Sequence, residues 1–289
     1  MKQKKIFNSV FVRGLSRSGG TMLTTILDAH RDISMSYELY PNVIKKLGLD
    51  NMILGYELLK NNKNLLKFPD LIKFNVFFAR AQRSGITKEI FLDCLEEELN
   101  NSTNIEKIAF GFVRHLCQIK MTKEKKRIWG AKCANQFYEY ISNYDNTFIF
   151  AIVRDGRDVC VSQLKNLKRD SQTVESIAQS WVNYTIGIYN LTEHYDHSHI
   201  VVYENLVNDP EKEIKIICDK LQLEFDKNML SHNHQDLTIF KSNHISMPNL
   251  IKPINNQRIG LWKNSLSKED IKIFNTIAGD QLEKFNYSI

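Results

Sequence analysis

The stretch FVRGLSRSGGTMLTTILDAH, residues 11–30, sets Gly14 and Gly19 at the G-x-x-x-x-G spacing of a phosphate-binding loop. Such a loop turns backbone N–H groups toward one point at the positive end of the following helix, where an anion is stabilised. Loops that hold a nucleoside triphosphate continue with Lys, which reaches the terminal phosphates, and then with a Ser or Thr that holds magnesium. Here Gly20 stands in the lysine's place, while Thr21 remains. Arg17 and Ser18 lie inside the turn, and a guanidinium can donate two parallel charge-assisted bonds. The loop therefore suits a tetrahedral oxyanion, phosphate or sulfonate, that is not organised around a metal-bound triphosphate. The plainer reading is a tight turn at Gly19 and Gly20, with Arg17 a surface charge.

A second anion-binding pattern lies in FIFAIVRDGRDVCVSQL, residues 148–164. Arg154 ends an apolar run, Asp158 opens a helix, and Ser162 follows one turn in, so both Arg154 and Ser162 can face one mouth of a sheet. Together they can bracket a second phosphate some distance from the first, which makes the expected ligand anionic at two ends. Alternatively Arg154 pairs with Asp155 or Asp158, and Ser162 is a helix surface residue.

These residues need a scaffold that brings distant loops together, and the hydropathy pattern supplies one. Residues 6–12 read as a strand, and residues 21–29 space Met22, Leu23, Ile26 and Leu27 as a helix does. Strand patterns return at 127–130, 147–153 and 199–203, with helical patterns between and after them. Alternating strands and helices predict an α/β fold of three layers, a central mainly parallel sheet flanked by helices and resembling the P-loop nucleotide-binding fold. In such sheets ligands lie at the carboxyl ends of the strands, where Gly14, Arg154 and Glu204 fall. Residues 41–126 are mostly helical in pattern and read as an insertion within a single domain spanning 1–289. Residues 231–258 read as a long polar loop of the kind that forms lids, and 267–287 as a closing helix opened by Ser267 and Asp270.

Composition narrows the function classes. The 289 residues are 43% hydrophobic and 25% charged, enough for a full core, and Lys+Arg 39 against Asp+Glu 33 gives a net charge of +6 that favours anionic ligands. The basic run at 123–127 reads as a solvated face rather than a nucleic-acid patch. Five widely spaced cysteines form no C-x-x-C pair, so neither a disulfide framework nor a zinc site is indicated, and a reducing compartment fits. No stretch approaches the roughly 18 apolar residues of a membrane helix. The expectation is a cytoplasmic protein without stable membrane insertion and without nucleic acid as partner; a homodimer stays open.

The two patterns together resemble the sulfotransferases that use 3'-phosphoadenosine-5'-phosphosulfate (PAPS) and release adenosine 3',5'-bisphosphate (PAP). Their 5'-phosphosulfate loop, close to R-S-G-T-T-L, is matched by residues 17–22, and their 3'-phosphate segment, close to V-R-D-P-R-D/A-x-x-x-S, by residues 153–158 and Ser162. VVYENLVNDP (201–210) and RIGLWKNSLS (258–267) resemble two further segments of the family, the second of which closes over the 3'-phosphate. LDAHRDISMSYELYP (27–41) and SMPNLIKPIN (246–255) resemble the branch that contains tyrosylprotein sulfotransferases, which shares its architecture with bacterial enzymes acting on other acceptors.

The resemblance implies Glu38 as the base, Arg17 as a sulfonate contact, and Lys132 and Ser246 as transition-state donors. It also implies a donor site made of Arg17, Ser18, Gly19, Gly20, Thr21, Arg154, Ser162, Tyr203 and Arg258. Sulfuryl transfer needs positive donors where charge grows on the departing phosphate oxygen, and no metal. The acceptor is a hydroxyl, on a peptide tyrosine, a sugar, a lipid or a small alcohol. Rival bases are His30, which also reads as packing at the end of the first helix, and His115, on an apolar helix. The chain departs from the family at Gly20, which replaces Thr, and at Gly156, which replaces Pro. Asn166 and Leu261 stand where tyrosylprotein enzymes carry basic contacts, with Lys165, Arg258 or Lys263 near enough to substitute. A P-loop phosphotransferase and a non-catalytic nucleotide binder are the alternatives, the first disfavoured by Gly20 and by the lack of metal-binding carboxylates.

Overall fold

A computed structural model describes residues 7–36, 38–133, 137–167, 172–234 and 246–289, with Phe137, Asn166, Leu167 and His234 in backbone alone. Ile6, the side chain of Asn166 and the part of the long polar loop from 235 to 245 thus lie outside the described residues.

Among the described residues five strands form one parallel sheet: β1 (Ser9–Gly14), β2 (Ile33–Ser36), β3 (Ile128–Cys133), β4 (Thr147–Val153) and β5 (Ser198–Val202), in the order β2-β3-β1-β4-β5. Parallel strands need crossovers, and helices supply them: α1 (Gly20–Asp28), α2 (Pro41–Lys60), α3 (Ile72–Arg83), α4 (Lys88–Asn101), α5 (Ile105–Lys123), α6 (Phe137–Asn143), α7 (Gly156–Leu167), α8 (Val174–His194), α9 (Tyr203–Asn208), α10 (Pro210–Leu221), α11 (Met247–Leu250), α12 (Trp262–Ser265) and α13 (Lys268–Lys284). Every residue of β4 is buried, as a strand covered on both faces requires. Alternation along the strands splits the core. Phe11, Trp129 and Ile149 join the cluster under α2–α5, while Val10, Val12, Phe150 and Ile152 pack with α1 and α10. Ala151 and Val153 pack beneath α8 and α13.

The central expectation of a parallel sheet between helical layers holds, and the differences are local. The sequence pattern does not show β2; its four residues, ISMS, are too few to establish alternation, and they sit between a helix end and Pro41. β3 runs on to Cys133, three residues beyond the expected end, and carries Lys132 within it. Residues 41–126 form α2 to α5, with α2 kinked at Gly48, whose φ is 79°. The closing helix has the capping box at Ser267 and Asp270 and ends at Lys284. All five cysteines are free and buried. Among the described residues no helix is long and apolar enough to cross a membrane.

Candidate active site

The loop after β1 is a tight turn closed by its own serine. The Ser18 N–H donates to the Leu15 carbonyl at 3.0 Å, and the Ser18 hydroxyl donates to the same oxygen at 2.8 Å. Arg17 sits at φ 76° and Gly19 at φ 96°, so the turn passes twice through the left-handed region. A Cβ on Gly19 would lie 2.7 Å from the Tyr203 ring, so only glycine allows that ring to pack on the loop. The helix α1 that follows has no side-chain cap and no acidic residue in its first turn, which leaves its positive end available to a ligand.

The lysine missing from the loop is replaced in space by one from the neighbouring strand. Val12 pairs with Lys132 across β1 and β3, and the Lys132 Cε lies 3.5 Å from where a Cβ on Gly20 would stand. A larger residue at position 20 would meet this side chain. Burial holds the Lys132 ammonium below the ordinary lysine value of 10.5, with Glu38 pulling it back up and Arg17 and Arg80 pushing it further down.

Arg17 joins the two sequence patterns. Its Nε donates to Ser162 Oγ at 3.0 Å, and its Nη1 donates to Ser246 Oγ at 3.4 Å. Arg17 thus bridges the loop and α7, and the two patterns border one cavity. Arg154 is buried, with its guanidinium 4.6 Å from the centre of the Tyr203 ring. Its Nη1 donates to the Arg17 carbonyl at 3.4 Å and its Nη2 to the Arg258 carbonyl. Asp158 Oδ2 lies 3.5 Å away, so Arg154 both pairs with Asp158 and faces the mouth. Its buried Nε has no hydrogen-bond partner among the described residues.

The C-terminal segment is fastened over this corner. Asp158 accepts the Gly260 N–H at 2.8 Å and the Trp262 N–H at 3.0 Å, and Arg258 Nε donates to Asn249 Oδ1 at 3.1 Å. Burial pushes the Asp158 carboxyl above its ordinary value, against the pull of Arg154 and the two N–H donors. At Gly156 a Cβ would lie 2.6 Å from Phe274 and 2.7 Å from Trp181, so two core aromatics fill the space a proline would need. Glu204 faces away from this chemistry, accepting from the Asp155 N–H at 3.0 Å and the Tyr287 hydroxyl at 2.7 Å.

Glu38 follows β2 in a left-handed conformation, φ 52°, a strain of about 1–3 kcal/mol that neighbouring groups must hold. Arg80 from α3 holds it at two points: its Nη2 lies 2.7 Å from Glu38 Oε2, and its Nη1 donates to the Glu38 carbonyl at 3.2 Å. Glu38 Oε1 lies 3.7 Å from Lys132 Nζ. The rival histidines are elsewhere. His30 is buried, accepting from the Asp32 N–H at Nδ1 and meeting the Glu224 carbonyl at Nε2. His115 lies 3.3 Å from Glu98 in a separate pocket between α4 and α5.

A cavity of about 240 Å³ gathers Arg17, Gly19, Gly20, Thr21, Glu38, Lys132, Arg154, Ser162, Tyr203, Ser246 and Arg258. Each strand contributes a residue at or just beyond its carboxyl end, where the strand order reverses around β1. Of the residues singled out in the sequence, Ser18 does not line it; its hydroxyl is spent on the turn. Among the described residues four cationic side chains, Arg17, Lys132, Arg154 and Arg258, line the cavity with one carboxylate, Glu38. Two larger cavities adjoin. One shares Arg154, Ser162 and Arg258 and includes Lys165 and Leu261. The other shares Ser16, Glu38 and Lys132 and extends to Tyr40, Asn42, Lys46 and Lys73. Sequence reasoning missed Arg80, Asn249 and the latching role of Asp158. Asp158 stands inside a recognised motif, whereas Arg80 meets Glu38 only through the fold.

The sulfotransferase family profile matches residues 9–227. No curated protein sequence matches. The fold is shared with the sulfotransferase domain from the Synechococcus PCC 7002 olefin synthase, at 17% identity and a TM-score of 0.62, covering 100% of this chain and 98% of that one. The sulfotransferase domain from the curacin biosynthetic pathway is similar at 14% identity and a TM-score of 0.60, with 99% of each chain covered. A mouse sulfotransferase, SULT7A1, complexed with PAP is similar at 10% identity and a TM-score of 0.51, over 96% of this chain and 85% of that one.

Proposed function

The chain belongs to the sulfotransferase family, through the match over residues 9–227, and from that premise we propose that it moves a sulfuryl group from PAPS to an acceptor hydroxyl. The observation that carries the reading is the cavity in which four cations and an uncapped helix N-terminus face a single carboxylate. Such a site fits a ligand with several negative charges and one reacting centre. Arg154, Ser162 and Arg258 would hold the 3'-phosphate, and the buried Nε of Arg154 is a donor ready for it. Gly19, Gly20, Thr21 and the start of α1 would hold the 5'-phosphate, with Tyr203 packed beneath the loop. That a structural neighbour is complexed with PAP supports this assignment.

The donor supplies a sulfuryl group on a phosphate oxygen that gains charge as the bond breaks. Lys132, Arg17 and the first-turn N–H groups of α1 are the donors that meet this charge, in a buried setting where each is worth more than in water. Ser246 sits on Arg17 and orients it. Glu38 takes the proton of the acceptor hydroxyl, and Arg80 fixes the direction of its carboxylate. The residues require no metal to perform these roles.

The acceptor enters from the cavity that shares Ser16, Glu38 and Lys132 with the donor cavity, shaped by α2 and α3 of the helical segment 41–126. The whole chain acts as one domain, because donor and acceptor walls share strands β1 and β3. The test is direct. PAP should raise the melting temperature in the absence of magnesium, by about 2.7 kcal/mol of stabilisation at one hundred times its dissociation constant. No shift at saturating PAP contradicts the proposal.

A further inference from the structure

The acceptor cavity contains two cations that the reaction does not use. Lys46 lies on α2, one turn beyond Asn42 and on the same face, and Lys73 lies at the start of α3. Neither has an ion pair among the described residues. Lys45, the neighbour of Lys46, does not line the cavity and lies 3.1 Å from Glu139. Among the described residues the one carboxylate lining this cavity is Glu38, already held by Arg80 at 2.7 Å. Glu38 and Lys132 are largely buried at the donor side, whereas Lys46 and Lys73 are exposed. The cavity thus has a reactive floor and a positively charged mouth, with about 520 Å³ between them.

Building on the sulfotransferase reading, we propose that the acceptor is a small molecule with a hydroxyl at one end and an anionic group, carboxylate or phosphate, at the other. Lys46 and Lys73 recognise the anionic group and so direct the hydroxyl to Glu38. An anion at the mouth offsets charge that is otherwise uncompensated, and a neutral alcohol of the same shape gains nothing from the two lysines. Because both ammonium groups are exposed, the effect is one of selectivity: each contact is worth a factor of about two to five in affinity and is weakened by salt.

The test compares matched pairs, 3-(4-hydroxyphenyl)propanoate with its methyl ester and 6-hydroxyhexanoate with its methyl ester, binding to the PAP-saturated protein by calorimetry. Within each pair the scaffold cancels. At least one acid should bind about five- to tenfold more tightly than its ester at low salt, with the ratio falling toward one at about 0.5 M salt. The Lys46→Ala/Lys73→Ala double variant should lose this ratio while still binding PAP, and Lys46→Arg/Lys73→Arg should keep it. Equal binding of acid and ester, no measurable binding of any acid, or a ratio unchanged in the alanine variant overturns the proposal. PAP binding is measured first, by itself. If PAP fails to bind, the donor reading falls, and the acid–ester ratio is then taken on the free protein, where it tests the mouth alone.

Discussion

If Arg154 and Ser162 hold a 3'-phosphate, the protein must distinguish PAP from adenosine 5'-phosphate, which lacks that group. The size of the difference follows from which donors are available. The Nη atoms of Arg154 already serve the Arg17 and Arg258 carbonyls, so its contribution is one new bond from Nε. The Ser162 hydroxyl, which accepts from Arg17 at 3.0 Å, turns its own proton to the phosphate as a second bond in the proposed complex. Two charge-assisted bonds at about 1.5–3 kcal/mol each give about 3–6 kcal/mol. Asp158, 3.5 Å from Arg154, repels an added anion and favours the lower half of that range. PAP should therefore bind about 150- to 2,000-fold more tightly than adenosine 5'-phosphate. Ser162→Ala should cost about tenfold or more in affinity for PAP, and much less in affinity for adenosine 5'-phosphate. Calorimetric titration of both nucleotides against both proteins measures the full cycle. Equal affinity of the two nucleotides for the unaltered protein, or the same loss for both in the variant, would refute the reasoning.

Three further outcomes are expected. Because burial lowers the Lys132 pKa, its ammonium is present below that depressed value and lost as pH rises through it, so kcat/KM for the donor should fall on an alkaline limb below 10.5, and Lys132→Arg should remove that limb from a pH–rate profile. Asp158→Asn weakens the hold on the Gly260 and Trp262 N–H groups, so denaturant unfolding should show a loss of about 1–3 kcal/mol. Gly19→Ala forces a Cβ into the Tyr203 ring at positive φ and should cost about 1–3 kcal/mol and weaken PAP binding, whereas Gly20→Ala, whose Cβ meets only ordinary contacts, should cost less than about 1 kcal/mol.

What the sequence made legible was what depends on neighbours along the chain. The glycine loop, the β4 run Thr147–Val153 and the Ser267/Asp270 cap are each written in a few consecutive residues. The placement of the loop and the end of β4 around one mouth followed from the rule that parallel strands put ligands at their carboxyl ends. Lys132 came from the family resemblance, since nothing in the spacing of β3 marks it; only the pairing of Val12 with Lys132 shows that it stands in for the absent loop lysine. Arg80 was not legible at all, because it reaches Glu38 across 42 positions through the packing of α3. The same holds for the contact between Arg17 and Ser162, 145 positions apart, which ties the loop to α7.

The most direct test of the account is transfer itself. Labelled PAPS is incubated with the protein and fractionated extract of its source cell, in the presence of a metal chelator, and the label is followed into acceptors, with Glu38→Gln in parallel. The account predicts transfer to a hydroxyl compound that survives the chelator, and a Glu38→Gln variant that binds PAP as tightly as the unaltered protein but turns over far more slowly. Tight PAP binding with no transfer, or a Glu38→Gln variant that transfers at the original rate, would contradict it.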